Sequence, residues 1–173
     1  MENMKILQVV GYKNSGKTTL MNRLIALAQE TGKKVSAIKH HGHGGKPDLP
    51  PAGTDSTQFL ANGAASSLVY GGGLVQLHLE RQEADLEKFI GFSKLIDPDF
   101  ILIEGFKDAP YPKAVLVRSG EDWDTLKGLS DIRAVFVHQG VELEGVQTLE
   151  LDKHAASGRF FREWMGSGKD ESI

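Results

Sequence analysis

The segment Gly11-Tyr-Lys-Asn-Ser-Gly16-Lys17-Thr18 lies between a β-branched run, Ile6-Leu-Gln-Val-Val10, and a stretch with Leu20, Leu24 and Leu27 on one helical face. It satisfies G-x-x-x-x-G-K-[ST] at every required position, in the strand-to-helix context that the pattern needs. Average composition produces the bare pattern by accident in roughly one chain in a hundred of this length; the flanking strand and helix make accident a poor explanation. The chemistry accounts for the spacing. Gly11 and Gly16 let the backbone wrap closely, so that its N–H groups converge on a phosphate, and the following helix adds the positive end of its dipole. Asn14 and Ser15 contribute loop amides, Lys17 reaches the β- and γ-phosphates, the Thr18 hydroxyl is a Mg²⁺ ligand, and Thr19 lies near the α-phosphate.

Met21, Ile25 and Ala28 flank the helical stripe, and Gly32 stands where a terminator belongs. Val35–Ile38 is a second short strand. Strand, helix and strand in succession make a βαβ unit and imply a parallel pair. Phe100-Ile-Leu-Ile103 is continuous and apolar, as a central parallel strand covered on both faces would be. Lys113–Val117 and Ala134–Val137 are further strands, and Val146–Leu149 a weaker one. Ser67–Tyr70 and Val75–Leu79, joined through Gly71-Gly72-Gly73, predict a hairpin wet on one face. Helices are expected over Thr54 or Asp55 to Ala61, over Ala84–Ile96 until Asp97-Pro98, and from Lys153 to Met165, with Gly158 a weak point in the last. The expected architecture is α/β: a mostly parallel twisted sheet with flanking helices, plus one hairpin. Residues 1–166 form a single nucleotide-binding domain, and 167–173 a disordered tail.

Composition bounds the function. The 173 residues suffice for one domain without staples. The net charge of −3 leaves no basic excess for a general affinity for nucleic acid. With no cysteine, disulfides and thiolate metal sites are excluded. Ile6–Val10 is too short for the core of a secretory leader, and no segment approaches the roughly 18–20 apolar residues of a membrane span. The expected location is the cytoplasm.

Two further features bear on chemistry. Glu104 closes the apolar strand at Phe100–Ile103, where such folds carry the second acid on the Mg²⁺ side, and Gly105 permits close approach to a ligand. The segment His40–Gly53 holds three histidines, four glycines and three prolines in fourteen residues, so it is a loop. Its His40-His41-Gly42-His43 tract suits a transition metal or, with Lys39, an anionic substrate; a solvated loop is the bland alternative. Asp48 and Asp55 in the same region are candidates to contact Mg²⁺ or orient water, against ordinary roles as a turn residue and a helix cap. A guanine-reading Asn/Thr-Lys-x-Asp sequence is missing at Val137-His138-Gln139-Gly140, so motifs alone leave ATP and GTP open.

The combination of Gly11–Leu20, Ile38-Lys-His-His-Gly-His43, Asp48…Pro51…Gly53-Thr-Asp-Ser56, Asn62-Gly-Ala64 and Ile103-Glu-Gly-Phe-Lys107 resembles the molybdopterin-guanine dinucleotide biosynthesis protein B (MobB) family, from about residue 4 to 140. The resemblance implies a P-loop protein of the signal-recognition-particle, MinD and BioD-like (SIMIBI) class. It implies a dimeric GTP-binding adaptor and weak GTPase that works with molybdopterin and its guanylyltransferase. Carried onto this chain, Gly11–Thr19 binds phosphates and Thr18 and Glu104 hold Mg²⁺. His41, His43, Asp48 and Asp55 face the γ-phosphate or the pterin, with Lys17, Asp48 and Asp55 the groups acting on the phosphoryl transfer. Thr54 and Gln58 stand where the family commonly carries cations, which weakens stabilisation of the transferring phosphoryl group. Two other readings use the same loop. A small-molecule kinase would need clamping arginines, but the six here (Arg23, Arg81, Arg118, Arg133, Arg159 and Arg162) are few and scattered. A nickel-insertion GTPase would use the histidines as delivery ligands.

Overall fold

Alternation along four consecutive sheet neighbours decides which side chains meet which helices. β1 (Lys5–Gly11), β5 (Phe100–Glu104), β6 (Lys113–Val117) and β7 (Ile132–Val137) are parallel strands. Leu7, Val9, Leu102, Ala114, Leu116 and Phe136 point to one face, against α1 (Lys17–Glu30) and α5 (His154–Gly166). On the other face Val10, Val115, Val117, Val135 and Val137 pack with Leu126 of α4 (Gly120–Leu126), and Ile101 and Ile103 with Ile90 of α3 (Leu86–Ser93). Strands covered on both sides read as unbroken apolar runs, and each fully buried Leu, Ile or Val contributes about 1.5–3 kcal/mol by leaving water.

This computed structural model describes residues 4–42, 47, 50–80 and 85–166. They group into two units, with boundaries after His40 and before Leu86. In the larger unit the sheet order is β2-β5-β1-β6-β7-β8, with β2 at Val35–Lys39 and β8 at Thr148–Glu150. Every neighbouring pair in it is parallel. β1 and β2 are therefore not partners, contrary to the simplest expectation from their strand–helix–strand sequence. β5 lies between them and hydrogen-bonds to both. The fully buried apolar run Phe100–Ile103 claims the centre, and the half-exposed Val35–Lys39 is left at the edge.

The expected helix at 84–96 is α3 followed by a 3₁₀ turn at Lys94–Ile96, ended by Asp97 in the left-handed region; residue 84 lies outside the described ones. α4 is an element that the hydrophobic pattern did not suggest. Ser119 caps it, its hydroxyl accepting from the Asp122 N–H at 3.3 Å. α5 accommodates Gly158 in a buried position. The expected tail from 167 on is outside the described residues.

The smaller unit holds α2 (Asp55–Ala61) and an antiparallel hairpin of β3 (Ser66–Gly71) and β4 (Leu74–Leu79). The pairs Leu68↔Leu77 and Tyr70↔Val75 share one face. On that face Leu68, Tyr70, Val75 and Leu77 are 63%, 71%, 56% and 44% exposed; on the reverse face Ser67 is buried, but Val69 and Leu74 are 39% and 63% exposed. The hairpin is thus open on both faces over most of its length, not on one as expected, and much of the open surface is apolar.

Candidate functional site

β1 stops at Gly11 and α1 starts at Lys17, so the intervening loop turns within Tyr12–Gly16. A Cβ on Gly11 would come within 2.6 Å of both the Leu116 carbonyl oxygen and Ser15 Oγ, which explains why this position has no side chain. Asn14 (φ 60°) and Gly16 (φ 91°) take left-handed conformations, which let successive amides face one side. Gly16 is also the N-cap of α1 and supplies no side-chain acceptor. The first amides of α1 are left for an external anion. Ser15 is buried and its hydroxyl makes no hydrogen bond, a second unsatisfied group in the same cradle.

The loop is held from outside. His138 Nε2 lies 3.1 Å from the Ser15 carbonyl oxygen. Arg118 donates to the Lys13 carbonyl at 3.0 Å and is itself fixed by a two-pronged pair with Asp122, at 2.7 and 2.9 Å. That pairing lowers the Asp122 carboxyl pKa, with the Arg118 hydrogen bond the main cause. Tyr12 donates its hydroxyl to Thr125 Oγ1 at 3.0 Å. Lys17 folds back to donate to the Tyr12 carbonyl at 2.7 Å. Desolvation is the main cause of the lowering of its pKa; Glu104 opposes it, while Lys39 and Arg118 reinforce it.

Strand parity builds the opposite wall. Glu104 is two and four residues on from Leu102 and Phe100, so it points to the α1 face. Lys39 is its register partner on β2 and shares that face. Thr18, in the first turn of α1, donates its hydroxyl to Glu104 Oε2 at 3.0 Å. Lys39 Nζ lies 2.8 Å from Glu104 Oε1 and 3.4 Å from Thr18 Oγ1. Two hard oxygens from a hydroxyl and a carboxylate fit Mg²⁺, which takes such donors and keeps several waters and phosphate oxygens. The seat already attracts a cation, in the form of the Lys39 ammonium.

Beneath Glu104 the chain turns through Gly105 (φ 96°) and Phe106 (φ 51°). A Cβ on Gly105 would press to 2.9 Å of the His40 Cβ, and the His40 and Phe106 rings stack with centroids 4.7 Å apart. Gln8, fully buried in β1, holds this turn. Its amide donates to the carbonyls of Gly105 (3.0 Å) and Phe106 (2.7 Å), and its oxygen accepts from the Tyr111 N–H at 3.3 Å. Lys113, also fully buried, donates to the Ala109 and Tyr111 carbonyls at 2.6 and 2.8 Å; burial lowers its pKa.

Of the residues singled out in the sequence, Gly11, Asn14, Ser15, Gly16, Lys17, Thr18 and Glu104 come together here, with Thr19 exposed on the first turn of α1. His41 and Asp55 belong to the smaller unit, where Asp55 opens α2 and Thr54 takes the N-cap position. His43 and Asp48 lie outside the described residues. Among the described residues no three histidines or carboxylates cluster as a metal site. No helix among them is long and apolar enough to cross a membrane. Gln8 and Arg118 are supporting residues that the motif does not contain. Gln8 carried a signal, being the one polar residue inside Ile6–Val10; Arg118 carried none.

The chain is similar to known proteins in sequence and in fold. A family model described as molybdopterin guanine dinucleotide synthesis protein B matches residues 6–138. A Bacillus subtilis protein named as a probable molybdopterin-guanine dinucleotide biosynthesis adapter protein is 41% identical over 131 residues, 76% of this chain and 75% of its own. The Escherichia coli adapter protein of the same name is 30% identical over 164 residues, covering 92% and 93%. Among solved structures, Bacillus subtilis MobB superposes with a TM-score of 0.78 at 36% identity, over 96% of this chain and 99% of that one. A MobB homologue from Bacillus stearothermophilus gives 0.71 at 35%, over 93% and 95%. With the match running from the first strand past β7, and so across both walls of the site, this chain belongs to the molybdopterin guanine dinucleotide synthesis protein B family.

Proposed function

We infer that this chain is an adapter of molybdopterin guanine dinucleotide biosynthesis that binds GTP with Mg²⁺ at Gly11–Thr19 and hydrolyses it slowly. The adapter role follows the names of its relatives. The observation that carries nucleotide binding is the Thr18 hydroxyl on Glu104 at 3.0 Å, at the mouth of an uncapped helix whose Ser15 hydroxyl is unsatisfied. Loop amides and Lys17 take the β- and γ-phosphates, and Thr18 and Glu104 hold Mg²⁺, which when bound neutralises charge on the bridging oxygens. His41, His43, Asp48 and Asp55 are assigned to the γ-phosphate or pterin side, with one of the two aspartates orienting water. The absence of a cation at Thr54 and Gln58 agrees with slow hydrolysis. The exposed apolar face of the hairpin supports a homodimer formed through it, and the working location is the cytoplasm, with the guanylyltransferase as partner.

Calorimetric titration with GTP and with ATP, each with Mg²⁺, tests the reading. GTP is expected to bind more tightly, and Lys17→Ala to lose affinity by a hundredfold or so, the worth of a charge-assisted contact. A preference for ATP overturns the guanine assignment. Unchanged affinity in Lys17→Ala overturns the loop assignment.

A further inference from the structure

The Lys39 ammonium sits on the two oxygens best suited to Mg²⁺, 2.8 Å from Glu104 Oε1 and 3.4 Å from Thr18 Oγ1. The two partners differ in freedom. The Glu104 side chain is 9% exposed and held by β5, while that of Lys39 is 57% exposed at the end of an edge strand. A fixed carboxylate with a mobile cation on it is a seat that the cation can leave. Register and parity keep the Lys39 backbone directly beside Glu104, on the same face of the sheet.

A divalent ion competes for that seat with twice the charge. With a divalent cation held by Thr18 and Glu104, the Lys39 ammonium would be repelled from the seat, and a bound phosphate would offer it another anion; the cation would supply neutralisation of phosphate charge. Lys17 approaches from the loop side, where it rests on the Tyr12 carbonyl; Lys39 approaches from the β2 side. Of the other cations by the loop, Arg118 is spent on Asp122 and the Lys13 carbonyl, and Lys13 is a residue of the loop itself.

We propose that Lys39 is the specificity residue for a triphosphate over a diphosphate: on loading, its ammonium transfers from Glu104 to the terminal phosphoryl oxygens. This rests on the phosphate-loop reading above. A diphosphate lacks the terminal phosphoryl oxygens that would draw Lys39 away, so Lys39 then stays with Glu104 and competes with the metal.

The test is calorimetric titration of GTP and of GDP, with Mg²⁺ and with chelator, for the unaltered protein, Lys39→Met, Lys39→Gln and Lys17→Ala. Lys39→Met and Lys39→Gln are expected to bind GTP with Mg²⁺ about tenfold or more weakly, as loss of one charge-assisted bond requires. Their affinity for GDP with Mg²⁺ is expected to stay the same or rise, because the competitor for the metal seat is gone. The ratio of the two affinities therefore collapses. Lys17→Ala is expected to weaken both nucleotides, because it reaches the β-phosphate that both carry. A ratio unchanged in both Lys39 variants, while Lys17→Ala loses both nucleotides, overturns the Lys39 assignment alone and leaves it a counterion of Glu104. Normal binding by Lys17→Ala overturns the phosphate loop and the Lys39 assignment with it. Because Lys39 is more than half exposed, both variants are expected to melt within a few degrees of the unaltered protein.

Discussion

Gln8→Leu removes three hydrogen bonds at a stroke while nearly keeping the side-chain volume. Gln8 is fully buried and binds the Gly105 carbonyl (3.0 Å), the Phe106 carbonyl (2.7 Å) and the Tyr111 N–H (3.3 Å). A typical hydrogen bond contributes about 1 kcal/mol net, and a buried group stripped of its partner costs about 1–3 kcal/mol. The two carbonyls lie in a turn that water can partly reach, whereas the Tyr111 N–H bond is long and weak to begin with. A total near 3 kcal/mol follows, taking the lower end for each group. For a domain of this size that lowers the melting temperature by about 6–12 °C, at roughly 2–4 °C per kcal/mol. Thermal and urea denaturation of the two proteins side by side give the answer, with the urea slope unchanged if only stability moved. A fall of less than about 2 °C refutes the accounting that links Gln8 to the turn beneath Glu104.

Two further outcomes are expected. Lys113 is buried and its folded pKa lies below the unfolded value of 10.5, so the unfolded chain binds the extra proton between the two values. The desolvation penalty is therefore fully present below the folded pKa and is relieved as pH rises towards 10.5. Lys113→Met should abolish that part of the rise in urea midpoint with alkaline pH, and parallel pH profiles for the two proteins refute the assignment. In the hairpin, Leu68→Lys with Leu77→Lys replaces two exposed apolar side chains, so folding should change by less than about 0.5 kcal/mol each. Sedimentation should show a dimer converted to monomer; a dimer that survives both substitutions places its interface elsewhere.

The loop at Gly11–Thr18 was legible because its pattern is local: Gly11, Gly16, Lys17 and Thr18 lie in one short stretch between β1 and α1. Glu104 was legible as the acid ending an apolar run, and strand parity explains why it faces Thr18. Lys39 was visible only as a possible anion donor beside the histidines. Its partner is 65 residues away, and only the register of β2 against β5 joins them. The same non-local pairing defeated the simplest view of the first two strands, since no pattern within 5–39 says that β5 will come between them. α4 carried a readable start, Ser119 followed three residues later by Asp122, but its seven residues are too short for helical periodicity to stand out. The open surface of the hairpin escaped for the opposite reason. Apolar residues at alternate positions predict burial, yet Leu68, Tyr70, Val75 and Leu77 lie exposed among the described residues.

The position of β5 also sets an order of events for the growing polypeptide. β1 leaves the ribosome well before its two neighbours, β5 and β6, which lie far downstream of it. β2 waits equally for β5. Contacts so distant along the chain close slowly, because the loop entropy is lost before the pairing rewards it. During that interval the apolar residues of β1 have no strand to lie against, and Gly11 has no Leu116 to lean on. The residues that announce the site thus acquire its geometry only after residue 116 has been added, so a chain cut short before that point loses the loop's geometry as surely as one mutated within it.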